Sequence, residues 1–175
     1  MSYPNDLVLG DAFRAVMRRF AATVSIISCQ HAGRPFGMSA TAVTSVCIDP
    51  PALLVCVNRS NATNSILAEG VHFCINVLRS CHSELSRRFG GDTHGGERFR
   101  YGNWVLLPER PPTLADAQAN LFCKVDCRLE YGTHTILVGR VLRIECAQDV
   151  DVLVYHNGLY QTVSNATVPT PRQSP

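Results

Sequence analysis

Apolar and polar positions alternate with two different periods along this chain. Phe13, Val16, Met17 and Phe20 recur at helical spacing, which predicts a first helix capped by Asp11. Arg14, Arg18 and Arg19 fall on its wet side or in its last turn, where they complement the helix dipole. Beyond it the period shortens. Residues 23–29, Thr-Val-Ser-Ile-Ile-Ser-Cys, predict a strand, 30–33 a turn, 34–39 a returning strand and 42–47 another. Asp49-Pro50-Pro51 breaks the chain. Residues 52–57 are continuously apolar, the pattern of a buried strand.

A second helix is predicted over 62–69, capped by Ser60 or Asn61 and closed by Gly70. Residues 72–78 predict a strand. A short helix follows over 80–89, capped by Ser80, with Leu85 and Phe89 one turn apart. Residues 90–103 form a glycine-rich polar loop, and 104–107 an edge strand. Two long strands, 121–131 and 135–146, meet at Gly132-Thr133. Residues 152–155 and 159–163 flank Asn157-Gly158, a strong hairpin signal. A disordered tail is expected over 164–175, which leaves 1–163 as one domain. Many strands, few short helices and no β-α-β alternation predict a mainly β protein. Its expected form is a closed or nearly closed barrel with helical inserts.

At 175 residues the chain is long enough to bury a core without disulfide staples. Its net charge of +2 gives no footprint for nucleic acid. Fifteen of the sixteen basic residues are Arg, and Lys124 is the only lysine. No apolar run approaches the ~20 residues that span a bilayer. The first residues lack a basic segment followed by an apolar one, so no secretory signal is expected and the location is expected to be cytoplasmic. The eight cysteines are then expected to be free thiols, mostly buried as packing residues, with no bound metal.

Common catalytic signatures are missing from the sequence. There is no G-x-G-x-x-G after a strand, no phosphate-binding P-loop and no G-x-S-x-G elbow. His72-Phe73-Cys74 and Cys81-His82 are better explained by packing or a helix end. Three polar constellations remain. In Gly37-Met38-Ser39-Ala40-Thr41-Ala42-Val43-Thr44-Ser45-Val46, small residues let backbone N–H groups and hydroxyls approach a flat polar ligand. The bland alternative is an ordinary Ser/Thr-rich strand. Asn58-Arg59-Ser60-Asn61-Ala62-Thr63-Asn64 opens a helix, where N–H groups and hydroxyls suit a phosphate, or where simple capping operates. Gly132-Thr133-His134 lies at a strand junction, where His134 is equally a ligand contact or a structural residue.

Taken in order, these segments resemble the signatures of the short-chain flavin reductases. Gly37 to Val46 continues into Cys47-Ile48-Asp49-Pro50-Pro51. Phe73-Cys74-Ile75-Asn76-Val77-Leu78 matches the next motif. Gly132-Thr133-His134-Thr135-Ile136-Leu137-Val138-Gly139-Arg140-Val141 and a closing segment from Tyr155 to Tyr160 complete the match. The resemblance implies a split β-barrel of Greek-key type that binds FMN or FAD, works as a homodimer and uses NADH, with NADPH as the alternative. It implies an NAD(P)H:flavin oxidoreductase that passes reduced flavin to a separate oxygenase acting on an aromatic, phenolic compound. A flavin or electron carrier without turnover, and a reductase of ferric iron or a cobalt corrinoid, are the other readings.

By position, the resemblance implies flavin contacts at Met38, Ser39, Ala40, Thr41, Ala42, Val43 and Thr44, and at Cys56, Val57 and Asn58. It implies a phosphate site at Ser60, Thr63 and Asn64, and flavin contacts at Arg88 and Phe89. His134, as the catalytic candidate, is implied to approach the nicotinamide with His156, Asn157, Gly158 and Tyr160. Three positions depart from the family pattern: Ser39 replaces Thr, Thr41 replaces Asn and Thr133 replaces Asp. The last removes a carboxylate that would fix the imidazole tautomer or raise its pKa.

Overall fold

The computed structural model describes residues 6–92 and 95–163, so the expected tail at 164–175 lies outside the described residues. The chain begins with helix α1 (Asp6–Met17). Asp11 lies within this helix rather than capping it, and its carboxylate accepts from Arg14 at 2.9 Å. Strands follow as β1 (Ala22–Thr23), β2 (Ser25–His31), β3 (Arg34–Ala40), β4 (Val43–Ile48) and β5 (Pro51–Asn58). After helix α2 (Ala62–Ile66) come β6 (His72–Val77) and helix α3 (Ser83–Arg87). The remaining strands are β7 (Trp104–Val105), β8 (Thr113–Leu114), β9 (Ala119–Tyr131), β10 (His134–Cys146), β11 (Leu153–His156) and β12 (Leu159–Thr162).

Seven strands form one antiparallel sheet in the order β3-β2-β6-β9-β10-β5-β4. Its two edges, β3 and β4, are consecutive in the chain and joined only by Thr41 and Ala42. The sheet must therefore curl until its edges meet at that corner. They do not pair along their length, so the barrel is split and the expected closure is incomplete. Ile27, Val55, Val57, Phe73, Ile75, Val125 and Leu137 fill its interior.

A second core lies outside the curl. Val24, Ile26, Leu78, Leu85, Phe89, Phe99, Leu114 and Leu153 pack there, beneath the small sheet β1-β11-β12. The predicted strand over 23–29 is divided because the chain changes sheets at Val24. Its N–H donates to the Leu153 carbonyl, and its carbonyl accepts from Leu78 N–H, both at 2.9 Å. Asn76, fully buried on the second-core side of the sheet, holds β8 against β2. Its amide donates to the Ile26 carbonyl and to Ser28 Oγ, both at 2.9 Å, and its oxygen accepts from Leu114 N–H at 2.8 Å.

Several boundaries differ from the sequence expectation. On β5, Leu53, Val55 and Val57 are buried while Ala52, Leu54 and Cys56 are only half-buried, because one chain leaves the outer face of this strand uncovered. Helix α2 ends at Ile66 because the Arg128 guanidinium takes the Asn64 and Leu67 carbonyls, at 3.1 and 2.9 Å. Ser80 opens a 3-10 turn (Ser80–His82) ahead of α3 rather than capping it. The turn is closed by His82 Nδ1, which accepts from Arg79 N–H at 3.2 Å. The loop expected over 90–103 contains a 3-10 segment, Gly95–Arg100, anchored by buried Phe99. The expected strand over 104–107 is only β7, paired with β8. The Asn157-Gly158 hairpin forms as predicted, with positive φ at both residues.

The thiols divide unevenly. All eight are free, but only Cys29, Cys74 and Cys123 are buried; Cys56 is half-buried and Cys47, Cys81, Cys127 and Cys146 are exposed. Cys123 and Cys127 would share a face on a regular strand. The register between β9 and β10 shifts at Asp126, and this bulge turns Cys127 outward.

Candidate functional site

The corner where the sheet edges meet carries the first constellation. Small side chains leave Thr41, Ala42 and Thr44 exposed, with Ser39 and Val43 half-buried. Met38 and Ala40 point into the barrel core instead. Val57 and Phe89 are likewise core residues. Phe89 stacks edge-on against Phe99 at 5.0 Å. A Cβ on Gly37 would meet Phe89 at 3.0 Å and Phe99 at 3.1 Å, so the glycine is what lets β3 lie against this aromatic cluster. Arg88 is stacked on Tyr101 at 3.9 Å and paired with Glu84 at 3.0 Å.

From the corner the backbone leads to β5. Cys56 N–H donates to the Ala42 carbonyl at 3.1 Å. Two residues on, Asn58 faces His134 across the β5–β10 ladder. Arg59 holds the His134 hairpin: its N–H donates to the Thr133 carbonyl at 2.9 Å, and its guanidinium pairs with Glu130 at 3.3 Å. The corner and Gly132-Thr133-His134 therefore lie along one strip. His134 is exposed, and its Nδ1 is 2.9 Å from the Thr133 hydroxyl. That hydroxyl orients the ring and leaves Nε2 to solvent. Being able to donate or accept, it does not impose a tautomer as a carboxylate does.

In the helix-opening constellation, capping and ligand chemistry separate by exposure. Asn61 caps α2, accepting from Thr63 N–H at 2.9 Å. Thr63 is buried. Asn64 is also buried, donating to the Val57 carbonyl at 3.3 Å and accepting from Arg128 at 3.2 Å. Ser60 and Asn58 stay exposed, with Ser60 Oγ donating to Asn58 at 2.9 Å. Arg128 had no signal in the sequence, because its partners are carbonyls brought to it only by folding.

A hydroxyl network joins the corner to the last hairpin. Ser39 Oγ lies 2.7 Å from Ser86 Oγ on α3, and Tyr160 Oη donates to the same Ser86 oxygen at 2.9 Å. Tyr160 also borders a groove of about 600 Å³ together with Ser80, Ser83, Arg87, Gln161 and Thr162. Arg87 lies 5.5 Å from the Tyr160 ring centroid. The hairpin residue Asn157 donates its N–H to the Arg18 carbonyl at 2.8 Å, and Gly158 makes the exposed turn. His156 is half-buried beside them. No hydrogen bond or ring contact among the described residues joins this hairpin to His134.

The donor set fits a flavin and a nicotinamide nucleotide. Hydroxyls and backbone groups at the corner suit a flat polar ring, and a guanidinium with hydroxyls in the groove suits an anionic, polyhydroxylated ligand. A larger cavity of about 840 Å³ lies elsewhere, between the β2–β3 hairpin and residues 106–112. None of the expected site residues lines it. Among the described residues no group of His, Cys, Asp and Glu is arranged to hold a metal ion. No helix there is long and apolar enough to cross a membrane.

Residues 17–164 match the flavin reductase like domain. The chain is 38% identical over 160 residues to the reductase component of an FADH(2)-dependent resorcinol hydroxylase from Rhizobium sp. (strain MTP-10005), covering 90% of this chain and 89% of that protein. It is 38% identical over 156 residues to an NADH-dependent FMN reductase, RutF, from Pseudomonas syringae pv. syringae (strain B728a), covering 89% and 88%. The structure superposes with a TM-score of 0.82 on the NADH:FAD oxidoreductase SgcE6 of Streptomyces globisporus C-1027, solved with NAD and FAD fragments. That match has 26% identity and covers 94% of this chain and 98% of the other.

Proposed function

The chain belongs to the flavin reductase like family, and on that premise we propose that it reduces flavin with NADH for a separate oxygenase. The resemblance to a resorcinol hydroxylase reductase supports a phenolic compound as the oxygenase's substrate. The observation that carries this reading is the corner at residues 39–44, where two sheet edges meet on small residues beside a groove lined with hydroxyls and Arg87.

When bound, the flavin supplies the acceptor for a hydride from the nicotinamide. The chain's own part is placement. Thr41, Ala42 and Thr44 leave room for a flat ring and offer backbone groups to its polar edge. Ser39 adds a hydroxyl. Asn58 and Ser60 border the ribityl chain and phosphate, and Thr63 and Asn64, whose N–H groups are taken by Asn61, hold the turn behind them. Arg87, Tyr160 and the 156–158 turn receive the nicotinamide nucleotide. His134, oriented by Thr133, presents Nε2 at the far end of the strip. Met38, Ala40, Val57, Arg88 and Phe89 shape the pocket from behind and need not touch ligand. No titrating side chain is required, because donors fixed beside developing charge lower the barrier without moving a proton.

Two chains complete the site. The outer face of β4, β5 and β10 and helix α1 are the apolar surfaces that the single chain leaves open, and a second copy covers them. Steady-state NADH oxidation across NADH or NADPH with FMN or FAD tests the reading. Turnover is expected with NADH and added flavin; flavin-independent or absent oxidation contradicts it. His134→Ala is expected to raise the NADH KM about 2- to 10-fold, the range for one lost hydrogen bond. An unchanged KM removes His134 from the site.

A further inference from the structure

We propose that Ser86 is a positioning residue that fixes the Ser39 hydroxyl as a hydrogen-bond donor toward the ligand. The inference rests on the reading of Ser39 as a flavin contact. Ser86 lies fully buried on α3, and its side chain has two partners among the described residues, Tyr160 and Ser39.

A serine hydroxyl has one hydrogen and two acceptor lone pairs. Ser86 uses a lone pair for the Tyr160 Oη–H. Its own hydrogen then has a single acceptor within reach, Ser39 Oγ at 2.7 Å. Leaving that hydrogen unbonded in a buried site is costly, so Ser86 donates to Ser39. The order runs from Tyr160 to Ser86 to Ser39, and Ser39 keeps its own hydrogen free. Ser39 is half-buried at the open corner, so this hydrogen faces whatever occupies it.

The chain of hydroxyls thus carries a polarity. It favours a ligand edge that accepts, a carbonyl oxygen or an unprotonated ring nitrogen, over one that donates. The preference grows where arriving hydride makes that edge more negative. It also connects the groove to the corner: a ligand that turns Tyr160 Oη away from Ser86 frees a lone pair there and loosens the order of the whole chain.

The test is a double-mutant cycle read by flavin binding in the absence of nicotinamide. Tyr160→Phe is expected to weaken FAD and FMN binding about threefold when Ser39 is present, and not at all in a Ser39→Ala background. Ser86→Ala is expected to weaken flavin binding when Ser39 is present and to add nothing in a Ser39→Ala background, and Ser86→Thr, which keeps the hydroxyl, to restore it. Equal effects of Tyr160→Phe in both backgrounds overturn the inference. If Ser86→Ala does not fold, the cycle on Tyr160 and Ser39 still decides. An unmutated protein that neither binds flavin nor oxidises NADH overturns the functional reading and this inference together. Normal turnover with an additive cycle overturns this inference alone.

Discussion

Burial makes the thiols report on the fold. It raises Cys29 and Cys123 to about 12, and Cys74, where nearby Cys123 adds to the effect, higher still. These acids hold their protons more tightly folded than unfolded. Their contribution to stability is full below the unfolded thiol value of 9.0 and is lost as pH rises toward about 12. Each adds a slope of up to about 1.4 kcal/mol per pH unit in that window. Denaturant midpoints between pH 7 and 11 should fall only above about pH 9, and a flat profile contradicts the burial. A thiol reagent at neutral pH should modify Cys81, which lies off the strands assigned to the second copy, in the native protein and reach Cys29, Cys74 and Cys123 only after unfolding. The sequence marks which residues are cysteines but not which are covered. Cys127 sits in the same kind of run as Cys123 and is exposed because of a bulge that no local pattern announces.

Gly139 sets the packing of two strands. A Cβ there would sit 2.5 Å from Phe73 Cζ, so the ring of β6 lies directly on the glycine of β10. Gly139→Ala should cost about 1–3 kcal/mol, the range for overpacking a core, measured by chemical denaturation. Gly90→Ala, where nothing lies within 4 Å of the added carbon, is the matched control. A cost no greater than the control's means that Phe73 has room to move. At this scale strands were largely legible, because alternation and the Asn157-Gly158 turn are local signals. The ends of α2 and the division of the strand over 23–29 were not. They depend on Arg128 and Leu153, which are distant in sequence. Motifs single out Ser39, Thr41, Asn58 and His134 as candidates, and folding brings Asn58 and His134 face to face. Ser86 and Arg128 carry no sequence signal because their contacts exist only once α3 and β9 are in place.

The single chain leaves an unusual amount of apolar surface open. Ile48 is 90% exposed and Phe13 64%, with Val16, Phe20, Val46, Leu142 and Ile144 also exposed. Stable dimers bury roughly 800 Å² per partner with an apolar centre. Sedimentation should therefore find a dimer, and Ile48→Glu on the outer β4 edge should shift it toward monomer with a parallel loss of turnover. A monomeric unmutated protein with full activity contradicts the proposal that two chains complete the site. Anaerobic mixing of the protein with NADH and excess free FAD or FMN tests flavin reduction most directly. Rapid bleaching of the flavin is expected, with one NADH consumed per flavin and many flavins per protein. Flavin that stays oxidised, or bleaches no faster than without protein, contradicts the proposed function.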